Sequence, residues 1–313
     1  MKSRLRRAAL LLLALPAGPL LAEGPTVQER LGHPPSARLL VIHADDVGMA
    51  HSVNRASFEA LEGRTVTSAS ILVPCPWFPE VAAWARNRPE ADLGIHLALN
   101  SEWTTLRWGP VLGRAAVPSL LDEAGYLPLV QQPVAERAKL DEVERELRAQ
   151  VEAAKAAGIR ISHLDTHMGT LFFTPGLLQL YLKLGRELGL PVLHERQALR
   201  ERSVAISEGE VLIDRVLGLQ TTVAKEAWPD AYRKLLAPLP AGVYELIVHL
   251  AHDDEEMRAA TVGHVDFGSE WRQNDFDLVR SPDFRRFLEE QGFVLVSFKD
   301  LARALPPDYA RGR

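Results

Sequence analysis

The sequence has one cysteine, Cys75, so no internal disulfide can staple the chain, and cysteine usage favours neither an oxidising nor a reducing compartment. It has no excess of positive charge. With 36 Lys and Arg against 41 Asp and Glu, the net charge of −5 provides no basic face for neutralising a phosphate backbone, which excludes nucleic acid as a partner. Beyond the N-terminus no apolar run is long enough to span a bilayer. There is no internal repeat and no low-complexity segment. At 47% hydrophobic and 25% charged, with 21 Gly and 21 Pro in 313 residues, the chain is neither disordered nor collagenous and can bury a substantial core.

The one long apolar run lies at the start. Lys2, Arg4, Arg6 and Arg7 precede the continuous stretch Ala8 to Leu15, which Pro16, Ala17 and Gly18 break ahead of Ala22 and Glu23. This pattern reads as a cleaved signal peptide over residues 1–22, too short for a membrane anchor, and predicts a periplasmic or secreted protein with no stable membrane insertion after cleavage. Removing four positive charges takes the formal charge from −5 to −9. The partners of so acidic a protein are not polyanions.

From residue 37 to about 303, short apolar runs alternate with amphipathic helical patterns, as expected of a single domain. Strands are expected at Leu39 to His43, Thr67 to Val73, Leu93 to Leu99, Ile159 to Leu164, Pro191 to His194, Val243 to Leu250 and Phe293 to Phe298. Ser52 reads as the N-cap of a helix reaching Leu61. Further helices are expected at Pro79 to Arg86, Val134 to Ala157, Pro175 to Leu188 and Pro282 to Gln291. Such alternation implies parallel strands joined by right-handed crossovers. About seven repeats suit an α/β fold of the distorted or incomplete (β/α) barrel type. A doubly wound sheet is the alternative, but the first turn lacks its glycine-rich loop. Residues 100–133 and 197–240 carry little pattern and read as insertions of the kind that hold recognition loops.

Polar residues interrupt the apolar runs at four strand ends: Asp45-Asp46, His96, His163 with Asp165 and His167, and His249 with His252. Alone, each has a bland reading: a turn for the aspartates, a satisfied core histidine for His96, surface positions for the last pair. In a barrel those ends converge on one face, so together they point to a metal or acid–base site. A carboxylate and two imidazoles with an open position make a catalytic site for Zn²⁺ or another divalent ion. Adjacent strand residues point opposite ways, so only a turning backbone lets one aspartate hold metal while its neighbour reaches water.

The stretches His43-Ala44-Asp45-Asp46-Val47-Gly48 with Asn54, Val66 to Ser70, Gly94 to Leu97, His163 to His167 and Glu245 to His249 resemble the YdjC-like carbohydrate deacetylases, which include the chitooligosaccharide deacetylases. The resemblance runs on through Arg272 to Phe298. It implies a distorted barrel, removal of N-acetyl groups from an N-acetylated saccharide, and one divalent ion, Mg²⁺ or Zn²⁺. Carried over by motif, Asp46, His96 and His167 are the metal ligands, Asp45 the general base and His249 the acid, with His252 as its alternative. Met168-Gly169-Thr170 and Leu250 depart from the family pattern and bear on the substrate rather than the ligands. Asp165 is a candidate for orienting a liganding imidazole or for a strand-end cap. Trp77, Trp103 and Trp108 could stack on sugar rings or pack in the core. Arg196 and Arg272 are expected outside the core site. Two rival readings are a metal-dependent phosphoesterase on a similar barrel and a sugar-binding protein that has lost catalysis. A homodimer and a monomer both stay open.

Overall fold

Helix α1 (Val27–Arg30), closed at its start by a Thr26–Glu29 capping box, leads into a ten-residue strand, β1 (Arg38–Val47). All positions of β1 after the first are buried, as a strand covered on both faces requires. The computed structural model describes residues 24–201 and 213–311, so the segment read as a signal peptide and part of the second insertion lie outside it. Then follow α2 (His51–Glu62), β2 (Ser68–Ile71), α3 (Phe78–Ala85) and β3 (Leu93–Leu97). A long irregular stretch separates these from α4 (Gln132–Arg137), α5 (Leu140–Ala156), β4 (Ile161–Thr166), α6 (Pro175–Leu188) and α7 (Arg196–Glu201). The chain continues through β5 (Arg215–Leu217), α8 (Trp228–Leu236), β6 (Gly242–His249), α9 (Glu255–Ala260) and α10 (Ser269–Arg280). It closes with α11 (Pro282–Glu290), β7 (Phe293–Leu295) and α12 (Phe298–Ala302).

The seven strands among the described residues are all parallel, in the order β4-β3-β2-β1-β6-β5, with β7 paired to the first residues of β1. Among the described residues the sheet does not close by continuous ladders. Isolated parallel bridges, Leu164 to Val192 and Glu195 to Ile213, span the gap between the β4 edge and the start of β5. This is the expected distorted barrel. The strand expected at Pro191 to His194 is only a bridge at Val192, and the fifth strand is instead Arg215–Leu217, inside the stretch read as an insertion.

Two helical expectations need correction. The helix expected over Val134 to Ala157 breaks at Ala138 and Lys139, whose backbones are extended; the Lys139 N–H donates to Ser119 Oγ instead of continuing the helix. Ser52 is not an N-cap. Ala50 occupies that position without a side-chain bond, and the orphan N–H groups of His51 and Ser52 donate to the Glu256 carboxylate from across the fold. Gly158 and Gly189 do end their helices as expected, with φ of +88° and +68°.

Side chains alternate along a strand, and this alternation positions the site. In β1, Leu40, Ile42 and Ala44 join the large core under the helices, whereas Leu39 and Val41 join a smaller inner cluster with Val243 and Phe298. Two residues further along that inner face comes His43, and two further Asp45. In β6 the same column reads Val243, Glu245, Ile247, His249. The barrel interior is thus apolar at its base and ionisable towards the C-terminal strand ends.

Candidate active site

Asp45 and Asp46 both reach this interior because β1 is irregular where it ends. The ladder to β2 shifts register between Ala44 and Val47, and Asp46 has φ +67°, a left-handed conformation that a non-glycine residue adopts at a cost. Asn54 braces the turn by accepting the Gly48 N–H at 2.7 Å through Oδ1, and its Nδ2 donates to Glu80. Gly48 itself has φ +101°. The backbone turn that the adjacent aspartates require is therefore present. His167 is presented in a similar way, where β4 runs into a tight turn with Met168 and Gly169 at φ +54° and +64°.

Asp46, His96 and His167 are all buried, and their ligand atoms lie within 4.8 Å of one another. Asp46 Oδ1 stands 3.4 Å from His96 Nε2 and 3.3 Å from His167 Nδ1, yet it has no hydrogen-bond partner. A buried carboxylate oxygen left unpaired between two imidazole nitrogens suits a cation that would engage all three. The groups behind the cluster fit the same role. His96 Nδ1 lies 2.5 Å from Asp165 Oδ2, and His167 Nε2 is hydrogen-bonded to Glu102 Oε2 at 2.8 Å, so each ring is oriented by a carboxylate. Burial presses both rings towards neutrality. The carboxylates outweigh it: Asp165 and Asp45 hold His96 well above its ordinary value, and Glu102 and Asp46 hold His167 up at about 9. A cation would displace those protons. Asp46, despite burial, is held well below the usual carboxylate range, chiefly by Arg272.

Asp45 stands beside this cluster with its two oxygens in different surroundings. Oδ1 accepts from the Ser70 hydroxyl at 3.2 Å and lies 3.2 Å from His43 Nε2. Oδ2 lies 3.8 Å from His96 Nε2 and 3.9 Å from His249 Nε2. His43 is fully buried among three carboxylates, Asp45, Asp165 at 3.8 Å and Glu245 at 3.7 Å. Against its burial they hold its imidazole at about 9. Glu245, buried on β6, is pushed well above the carboxylate range by that burial. His43, Asp45 and Asp165 form a second histidine–carboxylate group, but Ser70 and His96 already occupy Asp165 Oδ2.

His249 is fixed from its backbone: its N–H donates to Asp275 Oδ2 at 3.0 Å, and Asp275 Oδ1 accepts from Trp228 Nε1 and the Tyr232 hydroxyl. Burial lowers the pKa of the His249 ring and pushes Asp275 up to about 6. His252 is not part of this arrangement, because its Nε2 contacts Glu59 at 3.1 Å on the outside of α2. His163 lies below the site. It stacks on Phe298 at 3.9 Å, in space that exists only because residue 94 is glycine; a Cβ there would meet the ring at 2.3 Å.

Arg272 corrects the expectation that placed it outside the core site: it is buried, with Nη2 2.6 Å from Asp46 Oδ2. Arg196 does stay outside, paired to Asp214. Of the three tryptophans only Trp103 borders the cavity, and it is nearly wholly buried; Trp108 donates to the Asn100 carbonyl within the core, and Trp77 leans on His51. Sequence reasoning missed Glu102, Glu245 and the role of His43. The last two carried the very signal used elsewhere, a polar residue inside an apolar run. Glu102 sits in an unpatterned stretch and carried none.

The cluster opens into a cavity of about 830 Å³, bordered by the β1, β3, β4 and β6 ends and by residues of both poorly patterned stretches. The model of the YdjC-like protein family matches residues 39–290, nearly the whole described fold. The chain belongs to the YdjC-like family. Among its relatives is a carbohydrate deacetylase of Thermus thermophilus, 34% identical over 276 residues, covering 84% of this chain and 93% of that protein. A chitooligosaccharide deacetylase of Serratia marcescens is 25% identical, covering 84% and 99%. A crystal structure from Enterococcus faecalis, of a protein named for cellobiose-phosphate cleavage, superposes with a TM-score of 0.70 at 27% identity, covering 85% of this chain and 99% of that one. This YdjC-like chain thus shares with its relatives the full length of the barrel.

Proposed function

We propose that this chain is an exported, metal-dependent carbohydrate deacetylase that hydrolyses the N-acetyl group of an N-acetylated sugar or oligosaccharide, with residues 37–303 as one catalytic unit. The carrying observation is the Asp46–His96–His167 cluster with Asp45 beside it at the mouth of one cavity. Asp46, His96 and His167 would hold one divalent cation. Two imidazole nitrogens and one carboxylate suit Zn²⁺ better than Mg²⁺, whose sites are built from oxygen. When bound, such a cation polarises the acetyl carbonyl and lowers the pKa of water.

The chain's own groups carry the protons. Asp45 Oδ2, unlike the braced Oδ1, is placed to take the proton of the attacking water as general base. His249 Nε2, 3.9 Å away, delivers a proton to the departing amine. Burial lowers the pKa of its ring, so a proton that Asp45 has taken from the water and passed to His249 is released readily to the amine. Arg272 holds Asp46 in the orientation that turns Oδ1 towards the two imidazoles. The phosphoesterase alternative gains little from the second cluster, since Asp165 Oδ2 already faces the Ser70 hydroxyl and His96.

Acetate release from a panel of N-acetylated saccharides, with and without chelator, tests this reading. Chelator-sensitive release supports it, and no release from any member by the Zn²⁺-loaded protein contradicts it. Export rests on the pattern of residues 1–22, and N-terminal sequencing from the native host should find a start near Glu23.

A further inference from the structure

Strand β2 supplies no ligand, acid or base to the site, yet the face it turns to the barrel interior is polar. Ala69 and Ile71 join the core under the helices, so Ser68 and Ser70 point the other way, inwards. Ser68 donates to Asp92 at 2.8 Å, below the site. Ser70 is fully buried between two carboxylates: its Oγ stands 3.2 Å from Asp45 Oδ1 and 3.1 Å from Asp165 Oδ2. The contact with Asp165 reaches past β3, where the residue paired with Ser70 is Gly94, which has no side chain to stand in the way.

A hydroxyl carries one proton, so Ser70 donates to one of these oxygens at a time. Asp165 is already supplied: Oδ2 faces His96 Nδ1 at 2.5 Å, and Oδ1 accepts the Thr166 N–H at 2.6 Å. Asp45 has less. Among the described residues, the only polar hydrogens within reach of its Oδ1 are those of Ser70 and of His43 Nε2, both at 3.2 Å. The imidazoles nearest its Oδ2 stand off at 3.8 and 3.9 Å. From this geometry we infer that Ser70 is a positioning residue for the general base, donating its proton to Asp45 Oδ1 and thereby fixing the carboxylate with Oδ2 turned towards the reacting water. The inference rests on the deacetylase reading, in which Asp45 is that base, and deepens it. Ser70 makes no hydrogen bond to Asp46, His96 or His167, so its loss should reach the rate through Asp45 and leave the cation site in place.

Ser70→Ala removes one oxygen from the inner face of β2 and tests this. In the Zn²⁺-loaded protein acting on an N-acetylated disaccharide, kcat should fall about 10–100-fold while KM stays within about twofold, the pattern of a reacting group held slightly out of place. Zn²⁺ affinity, read by competition against a chromophoric chelator, should also stay within about twofold, because Asp165 keeps its contacts with His96 and Thr166. A parallel fall in kcat and Zn²⁺ affinity would mean that Ser70 acts through Asp165 and His96, and overturns the inference. So does a kcat within about twofold of the parent. Crystal structures of the Zn²⁺-loaded parent and variant read the position of the base without turnover. In Ser70→Ala the Asp45 carboxylate should leave its parent orientation or divide between two. A carboxylate that stays in place overturns the inference. A displaced one supports it even if the parent releases no acetate from any saccharide, in which case only the deacetylase reading fails.

Discussion

Arg272 Nη2 and Asp46 Oδ2 meet at 2.6 Å across 226 residues of sequence, fully buried, and that contact turns the other oxygen of Asp46 towards His96 and His167. The guanidinium is itself held by its Nε bond to the Phe267 carbonyl, so Nη2 presents a fixed donor to Asp46. Its removal should therefore loosen the cation site without emptying the core. Arg272→Gln is expected to lower Zn²⁺ affinity about 10–100-fold, the usual effect of losing a group that orients a ligand. Competition against a chromophoric chelator measures it, with circular dichroism to confirm the fold. Unchanged affinity would mean that Asp46 is oriented by something else.

The two residues buried behind Asp45 should respond unequally. His43→Gln takes a protonated ring from among Asp45, Asp165 and Glu245, leaving buried carboxylates uncompensated, and is expected to cost about 3–5 kcal/mol of stability. Burial pushes Glu245 well above the ordinary carboxylate value, opposing a charge there, and Glu245→Gln keeps the shape of the side chain. It should cost less than about 1 kcal/mol. Urea denaturation of both variants decides this. Equal losses would show that Glu245 carries the charge.

Most of the fold was legible because buried parallel strands advertise themselves as short apolar runs. β1, β2, β3, β4 and β6 each lie where such a run falls. β5 was not legible: only Leu217 of its three residues is buried, so Arg215–Leu217 has no apolar signature. The break at Ala138-Lys139 was hidden too, because it depends on Ser119, which no local pattern reveals. Within the site the reacting groups stood out as polar residues at strand ends. Arg272 did not, since it lies on a helix whose sequence looks like any solvated face. Only the tertiary fold brings it to Asp46.

Asp92 ties three segments together below the site, accepting from the Ser68 and Ser162 hydroxyls at 2.8 Å and from the Lys299 N–H at 2.6 Å. Burial alone would raise its pKa, but His163, the Lys299 N–H and Ser162 outweigh it and hold the carboxyl at about 2. A depressed carboxylate stabilises the fold above its unfolded pKa, near 4, and that stability is lost as pH falls through about 2. The contribution is on the order of 2 kcal/mol. The melting temperature should fall more steeply between pH 4 and 2 in the unaltered protein than in Asp92→Asn. Parallel curves would assign the acid response to other groups.

The division of work between Asp45 and Asp46 is tested most directly by comparing Zn²⁺ content and acetate release in the two amide variants. In Asp46→Asn a neutral amide oxygen replaces a ligand, so metal affinity and rate should fall together and excess Zn²⁺ should recover part of the rate. Asp45→Asn should retain stoichiometric metal and substrate binding but lose about 10²–10⁴ in rate, the worth of general-base catalysis, with no recovery on adding metal. Loss of metal from Asp45→Asn with retention in Asp46→Asn would reverse the assignment. Unaltered turnover in both would reduce the pair to a strained turn and contradict the account.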